Sequence, residues 1–195
     1  MKKFRIGFAV LALGLMSFVA ATNFTLDLDK AHSHFGFTIK HLGISDFNGQ
    51  FTKFDTKLTA TADDLSDAKI EFSADAASIN TGIEQRDNHL RSADLLDTEK
   101  YPEIKFVSTS VKKEKGNNYK VEGDFTFHGV TKKVALNAVL VGKTVNPQSK
   151  KEAYGIKFTG AINRLDYGVG AGFPEQMLSN EIKFTADLEF AKSAE

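Results

Sequence analysis

One-for-one alternation of apolar and polar residues, repeated in short runs along nearly the whole chain, limits the possible folds more than any other feature of this sequence. Ile70, Phe72 and Ala74 alternate with Lys69, Glu71, Ser73 and Asp75; Ile182, Phe184, Ala186, Leu188 and Phe190 alternate with Lys183, Thr185, Asp187 and Glu189. Neighbouring side chains on a strand point to opposite faces, so each run has one dry and one wet face. The same pattern marks Phe24–Leu28, His34–Lys40, Phe51–Thr61, Ile104–Val111, Tyr119–Phe127, Lys133–Val141 and Tyr154–Ile162. Within Phe51–Thr61 the phase slips, because Phe51 stands three residues before Phe54, and a bulge is expected there. Lys112–Asn118 reads as a hairpin loop, His128–Thr131 as a tight turn, Gly142–Ala153 as a polar loop and the glycine-rich Asp166–Gln176 as a flexible connection. The expected fold is all-β, with about eight antiparallel strands closed into a barrel that leaves no unpaired edge. Such a barrel can hold one small ligand or be filled by its own side chains. A two-sheet sandwich, whose dry faces would pack together without a cavity, is the rival architecture.

The alternation stops once. From Asn80 to Phe106 the chain reads NTGIEQRDNHLRSADLLDTEKYPEIKF, with Arg86, Asp87, His89, Arg91 and Asp94 crowded around Leu90, Leu95 and Leu96. Connections in compact β domains usually take two to five residues, so a charged insertion of this length needs a purpose. A short helix around residues 83–96 that both plugs one end of the barrel and covers a cavity is the expectation, since ligand sites favour barrel mouths.

The first residues have a different character. Lys2, Lys3 and Arg5 precede an uncharged apolar run, Ile6–Val19, and small residues follow at Ala20 and Ala21. This is the pattern of a secretory signal peptide over residues 1–21, with the domain proper in 22–195. An exported chain of a bacterium with two membranes would reside in the periplasm, with no stable membrane insertion after cleavage. There is no cysteine, so the domain is held by its core without disulfides. Without the three basic residues of the leader, 22 Lys+Arg face 25 Asp+Glu, a net charge of −3 that offers no basic field to nucleic acid. There is no Trp, but 17 Phe, enough to line a broad apolar interior.

A series of short motifs, in order along the chain, resembles the YceI-like family of bacterial periplasmic proteins. They are Asp29-Lys-Ala-His-Ser33 leading to Phe37, His41-Leu-Gly43, Gly49-Gln-Phe51 and Ser78-Ile-Asn-Thr81. Then come Arg86-Asp87-x-His89-Leu90-Arg91-Ser92-x-Asp94, Tyr101-Pro102 with Ile104-Lys-Phe106, Gly123–Lys132, and Asn163-Arg164-x-Asp166-Tyr167-Gly168. The resemblance implies an extended lipocalin-like barrel that binds a polyisoprenoid or other long-chain lipid, without an established catalytic activity, cofactor or metal. Many relatives begin the first strand with an aromatic residue and place Phe where this chain has Leu95, both at positions that could touch a ligand, so the fold transfers more safely than the identity of the ligand.

Elementary energetics lead to the same kind of ligand. A hydrocarbon chain offers no hydrogen bonds, but burial is worth about 0.8 kcal/mol per CH₂, so ten buried groups give roughly 8 kcal/mol before ordering costs. Phe35, Phe37, Phe72, Phe106, Phe125, Phe127, Phe158 and Phe184 are the candidate cavity wall. Arg86, His89, Leu90, Arg91, Leu95 and Arg164 are the candidate mouth, where guanidinium groups could meet a polar head group. Structural roles compete: Arg86 could pair with Asp94, and Asp87 could cap the helix. Other constellations are weaker. His32, His34 and His41 hint at a metal, but without HExxH or cysteine. His89, Asp94 and Ser92 are the residue types of a hydrolase triad, but no nucleophile elbow surrounds Ser92. Asp166-Tyr167-Gly168 lacks the rest of a phosphate loop. A periplasmic lipid carrier is therefore the leading function. An isomerase or hydrolase using His89 or His128 in the same cavity is the alternative, and a filled barrel serving as an interaction module is the third. A second copy of the chain could cover the mouth as a homodimer.

Overall fold

Ten strands and one α-helix make up the computed structural model, which describes residues 23–193. The expected leader, residues 1–21, lies outside the described residues. The strands are β1 (Phe24–His41), β2 (Ser45–Phe51), β3 (Phe54–Ala60), β4 (Lys69–Asp75), β5 (Ile79–Asn80), β6 (Glu103–Lys113), β7 (Asn118–Phe127), β8 (Val130–Val145), β9 (Glu152–Asn163) and β10 (Leu178–Lys192). Eight of them, in the order β1-β3-β4-β6-β7-β8-β9-β10, form an antiparallel ring that β10 closes against β1. The barrel, not the sandwich, is the architecture.

Two elements differ from what the alternation suggests. The runs Phe24–Leu28 and His34–Lys40 belong to one long strand, β1, which pairs with β10 along most of its length. Between the partner pairs Asp29↔Glu189 and His34↔Asp187, β1 advances five residues while β10 advances two. The three extra residues invert the phase, so Leu26 is buried before the irregularity and Phe35 and Ile39 after it. Conversely, the slip at Phe51/Phe54 is no bulge but a break between two strands. β2 pairs with the second half of β1 and β3 with the first half. The break is fastened by Ser78, whose carbonyl accepts from Thr52 N and Oγ1 and whose hydroxyl accepts from Lys53 N.

Turn chemistry explains the tight return from β7 to β8. His128 and Gly129 both have positive φ, 49° and 73°, the conformation of a two-residue type I′ hairpin. Tyr101 lies against Gly129 so closely that a Cβ there would meet its ring at 2.5 Å. The core runs through the barrel and is a single cluster that includes Leu26, Leu58, Ile104, Val121, Tyr154 and Phe190.

Candidate ligand-binding site

The bore is unequal along its length. At the end formed by Leu58, Leu65, Tyr119, Val121 and Ile156 the residual cavity is about 20 Å³. The barrel's middle holds a narrow apolar slot of about 60 Å³ between Phe35, Phe72, Phe106, Phe125, Phe158 and Phe184. At the other end a chamber of about 360 Å³ opens, lined by residues that include Phe37, Ile39, Phe51, Ile182 and Phe184. Slot and closed end share Ile70 and Phe158, and slot and chamber share Phe184, so the three spaces follow one another along one axis. The chamber falls at the small end of the range for small-molecule sites.

The middle is narrow because its rings touch. Phe35 stacks on Phe184 at 5.7 Å and meets Phe72 edge-on at 4.7 Å; Phe125 packs against Phe184 at 5.7 Å. Of the eight phenylalanines expected to form a wall, six border the slot, Phe37 borders the chamber, and Phe184 borders both. Phe127 borders neither of these spaces; it packs behind Phe125 and Phe184, edge-on to Tyr167 at 5.8 Å.

The insertion roofs the chamber. Its helix, α1, covers Glu84–Arg91, shorter than the expected 83–96, because Ser92 is extended and ends it. Arg86, His89 and Leu90 from α1, and Leu95 and Leu96 from the turn after it, line the chamber. Asp87 does not cap the helix. It accepts from the backbone N and the hydroxyl of Thr81, tying the helix to the strand end before it, while the N-cap residue Ile83 has no side-chain bond. Arg86 does not pair with Asp94. Its Nε and Nη2 donate to the Thr81 hydroxyl and carbonyl at 2.8 Å, and its guanidinium lies 4.3 Å from the Phe47 ring centroid. Asp94 instead lies 3.6 Å from His89 Nε2.

The other two arginines are committed to the backbone. Arg91 donates to the Ile79 carbonyl and to Asn88 Oδ1, and is not part of the chamber lining. Arg164 borders the chamber but is fully buried, and all five of its donors are used. Nε donates to Ser179 O, Nη1 to Val169 O and Gly170 O, and Nη2 to Phe173 O and Leu178 O. Burial draws its pKa downward, though a guanidinium has so high an intrinsic value that it remains cationic. The glycine-rich Asp166–Gln176 stretch, expected to be a flexible connection, is thus wrapped around a buried cation. Gly170, at φ +60°, threads between Leu95 and Arg164, where a Cβ would meet Leu95 at 2.9 Å. Nothing short of the loop's carbonyls arriving together would show this in the sequence.

The catalytic residue types do not assemble. Ser92 Oγ donates to the backbone carbonyl of His89 at 2.7 Å rather than to its ring. His128 Nδ1 lies 2.9 Å from Tyr167 O, its ring packs on Tyr101 at 4.3 Å, and it does not line the chamber. The three histidines of β1 also part company: His41 borders the chamber, His32 sits beside Asp29 at 2.9 Å, and His34 stands opposite Asp187 in the β1–β10 register.

A closed antiparallel barrel with one roofed apolar chamber defines a lipocalin-like protein. More particularly, the chain belongs to the family of the YceI-like domain, whose model matches residues 26–190. It is 41% identical over 172 residues to a UPF0312 protein of Photorhabdus laumondii, covering 88% of each chain. The crystal structure of a Campylobacter jejuni YceI protein is similar, with 32% identity, a TM-score of 0.71 and coverage of 86% of this chain and 97% of that one. A polyisoprenoid binding domain from Saccharophagus degradans shares the fold at 17% identity, with a TM-score of 0.63 over 87% of this chain and 98% of that one.

Proposed function

We propose that the protein is an exported, periplasmic binding protein that takes one long-chain isoprenoid or similar lipid, without transforming it. The observation that carries this reading is the chamber under the helical roof, apolar on its inner walls and separated from a phenylalanine slot by Phe184, which lines both. The ligand's chain enters the chamber and forces the slot open by turning its rings, which gains burial of about 0.8 kcal/mol per CH₂. Its polar end stays near His89 and Arg86. With Arg91 and Arg164 committed to carbonyls, the mouth has little to offer a multiply charged head, so a neutral or singly charged head group fits better. The binding reading is also supported by what the name of the Saccharophagus degradans domain says of that protein. Catalysis has no comparable support: Ser92, the nucleophile weighed beside the His89–Asp94 pair, gives its hydroxyl hydrogen bond to the His89 carbonyl and not to the His89 ring.

The test is organic extraction and native mass spectrometry of protein purified from an exporting bacterium, followed by titration of delipidated protein with polyprenyl alcohols. Because the chain has no Trp, Phe184→Trp supplies a single reporter in the bore. A lipid adduct and a saturable Trp signal are expected. Protein that is repeatedly empty and does not respond to any prenyl chain overturns the reading.

A further inference from the structure

A different site lies on the outside of the barrel, at the seam where its first and last strands meet. Asp29 on β1 and Glu189 on β10 are direct partners in the register. Asp29 follows Leu28, which is partly buried against the core, and Glu189 lies between the buried Leu188 and Phe190, so both project outward on the same face. Like charges directly opposite one another destabilise a sheet. No lysine or arginine among the described residues relieves this pair: Lys30 is paired with Asp55, Lys157 with Asp187 and Lys192 with Glu152. On the far side of Glu189 the register places Gly155, which has no side chain to offer.

What does stand there is His32. The three extra residues of β1 fold it back over Asp29, with Nδ1 2.9 Å from Oδ2, while Asp29 Oδ1 accepts from Ala31 N. Ser33 fixes the same turn to the partner strand, accepting from Glu189 N at 3.0 Å. One ligand atom each from Asp29, His32 and Glu189 lies within 4.8 Å of the others. At metal–ligand distances of about 2.0–2.1 Å, neighbouring ligand atoms around an ion stand roughly 2.9–3.4 Å apart, so a side-chain rotation closes the set. The His32–Asp29 separation already falls in that range.

We propose that Asp29, His32 and Glu189 bind a divalent transition-metal ion of the zinc class, which staples β1 to β10 across the irregularity in the seam. One imidazole nitrogen with two carboxylate oxygens and water suits zinc and its neighbours, whereas magnesium and calcium prefer oxygen alone. The ion replaces the imidazole as the positive partner of the two opposed carboxylates. The proposal is independent of any ligand in the chamber.

The test uses untagged protein, treated with EDTA and dialysed into metal-free buffer, then titrated with ZnCl₂ by calorimetry and melted with and without the metal. One saturable zinc per chain and a raised melting temperature are expected, with both unchanged by a large excess of MgCl₂ or CaCl₂. His32→Ala and Glu189→Gln should each weaken zinc by at least about tenfold, the loss seen even for groups that merely support a ligand. Each should also abolish the thermal shift, while His34→Gln leaves both intact. Full zinc affinity in His32→Ala or in Glu189→Gln, or no uptake by the unaltered protein, overturns the proposal. Circular dichroism of each variant in metal-free buffer confirms that the fold is retained.

Discussion

The two ends of the barrel are built from the same alternating strands, yet one is solid and the other hollow. At the solid end, Leu58, Val121 and Tyr119 meet across the axis, and the Asp64–Leu65 turn between β3 and β4 folds over them. Tyr119 donates its hydroxyl to Asp64 O at 2.5 Å, and Lys113 reaches the Asp64 carboxylate at 2.7 Å. At the hollow end the cover is a helix and a glycine-rich loop. These hold their positions by polar anchors, Asp87 to Thr81 and Arg164 to five carbonyls, rather than by filling the space beneath. A lid anchored at its margins leaves its underside free for a guest; a lid that fills the bore does not.

The sharpest way to break this contrast is at Arg164. Arg164→Met removes the buried guanidinium that five carbonyls share, so stability in urea should fall by about 3–5 kcal/mol and the roof over the chamber should loosen. A loss below about 1 kcal/mol would mean that the loop holds its shape by other contacts. Next, the two ends should respond differently to the same truncation. Leu58→Ala in the solid end should cost about 2–5 kcal/mol, as in close-packed cores, whereas Leu90→Ala beside an existing void should cost under about 1 kcal/mol. Equal losses in urea melts would show that the mouth is packed like the core.

The contrast also predicts separation of stability from uptake. Leu90→Glu puts a carboxylate into the chamber lining, which should weaken prenyl-alcohol binding by at least about tenfold, 1.4 kcal/mol, with little change in the melting curve. Unchanged affinity would place the guest elsewhere. The smallest effect is electrostatic. Hydrogen bonds from Lys113 and Ser66 hold the Asp64 carboxyl down to about 2 from an ordinary 3.8. A depressed folded-state pKa stabilises above the unfolded value and loses that contribution as pH falls from near 4 toward 2. An NMR titration should find Asp64 near the low value and, in Lys113→Ala, closer to the ordinary one. No change in Lys113→Ala would mean that the solid end is not braced there.

The period-2 pattern was enough to read antiparallel strands with one dry face, which must close on something; that they close on themselves and not as a sandwich is decided by the β10–β1 pairing. The insertion was legible for the same reason: it breaks the pattern. What could not be read was anything that depends on partners far apart in the chain. Phe127 has the same phase as Phe125, yet it meets Tyr167 instead of the bore. Arg164 looks like a head-group ligand until the carbonyls of residues 169–179 are seen around it. Asp29 and Glu189 stand 160 positions apart in the sequence, and only the β1–β10 register sets them face to face. The split at Phe51/Phe54 was misread because a bulge and a strand break leave the same phase slip; Ser78, which decides the matter, is more than twenty residues away.

The irregularity in β1 also marks a change of phase in the wall. Ahead of it, even-numbered side chains look into the barrel; behind it, odd-numbered ones do. Beyond the excursion the facing is set by the partner strand, pair by pair from His34↔Asp187 to Ile39↔Ile182, so deleting one residue from Lys30–Ser33 shortens the excursion and leaves Phe35, Phe37 and Ile39 on the inner side. The wall behind the excursion is therefore indifferent to its length as long as the pairs on either side hold, which leaves both its length and its spelling free for other duties.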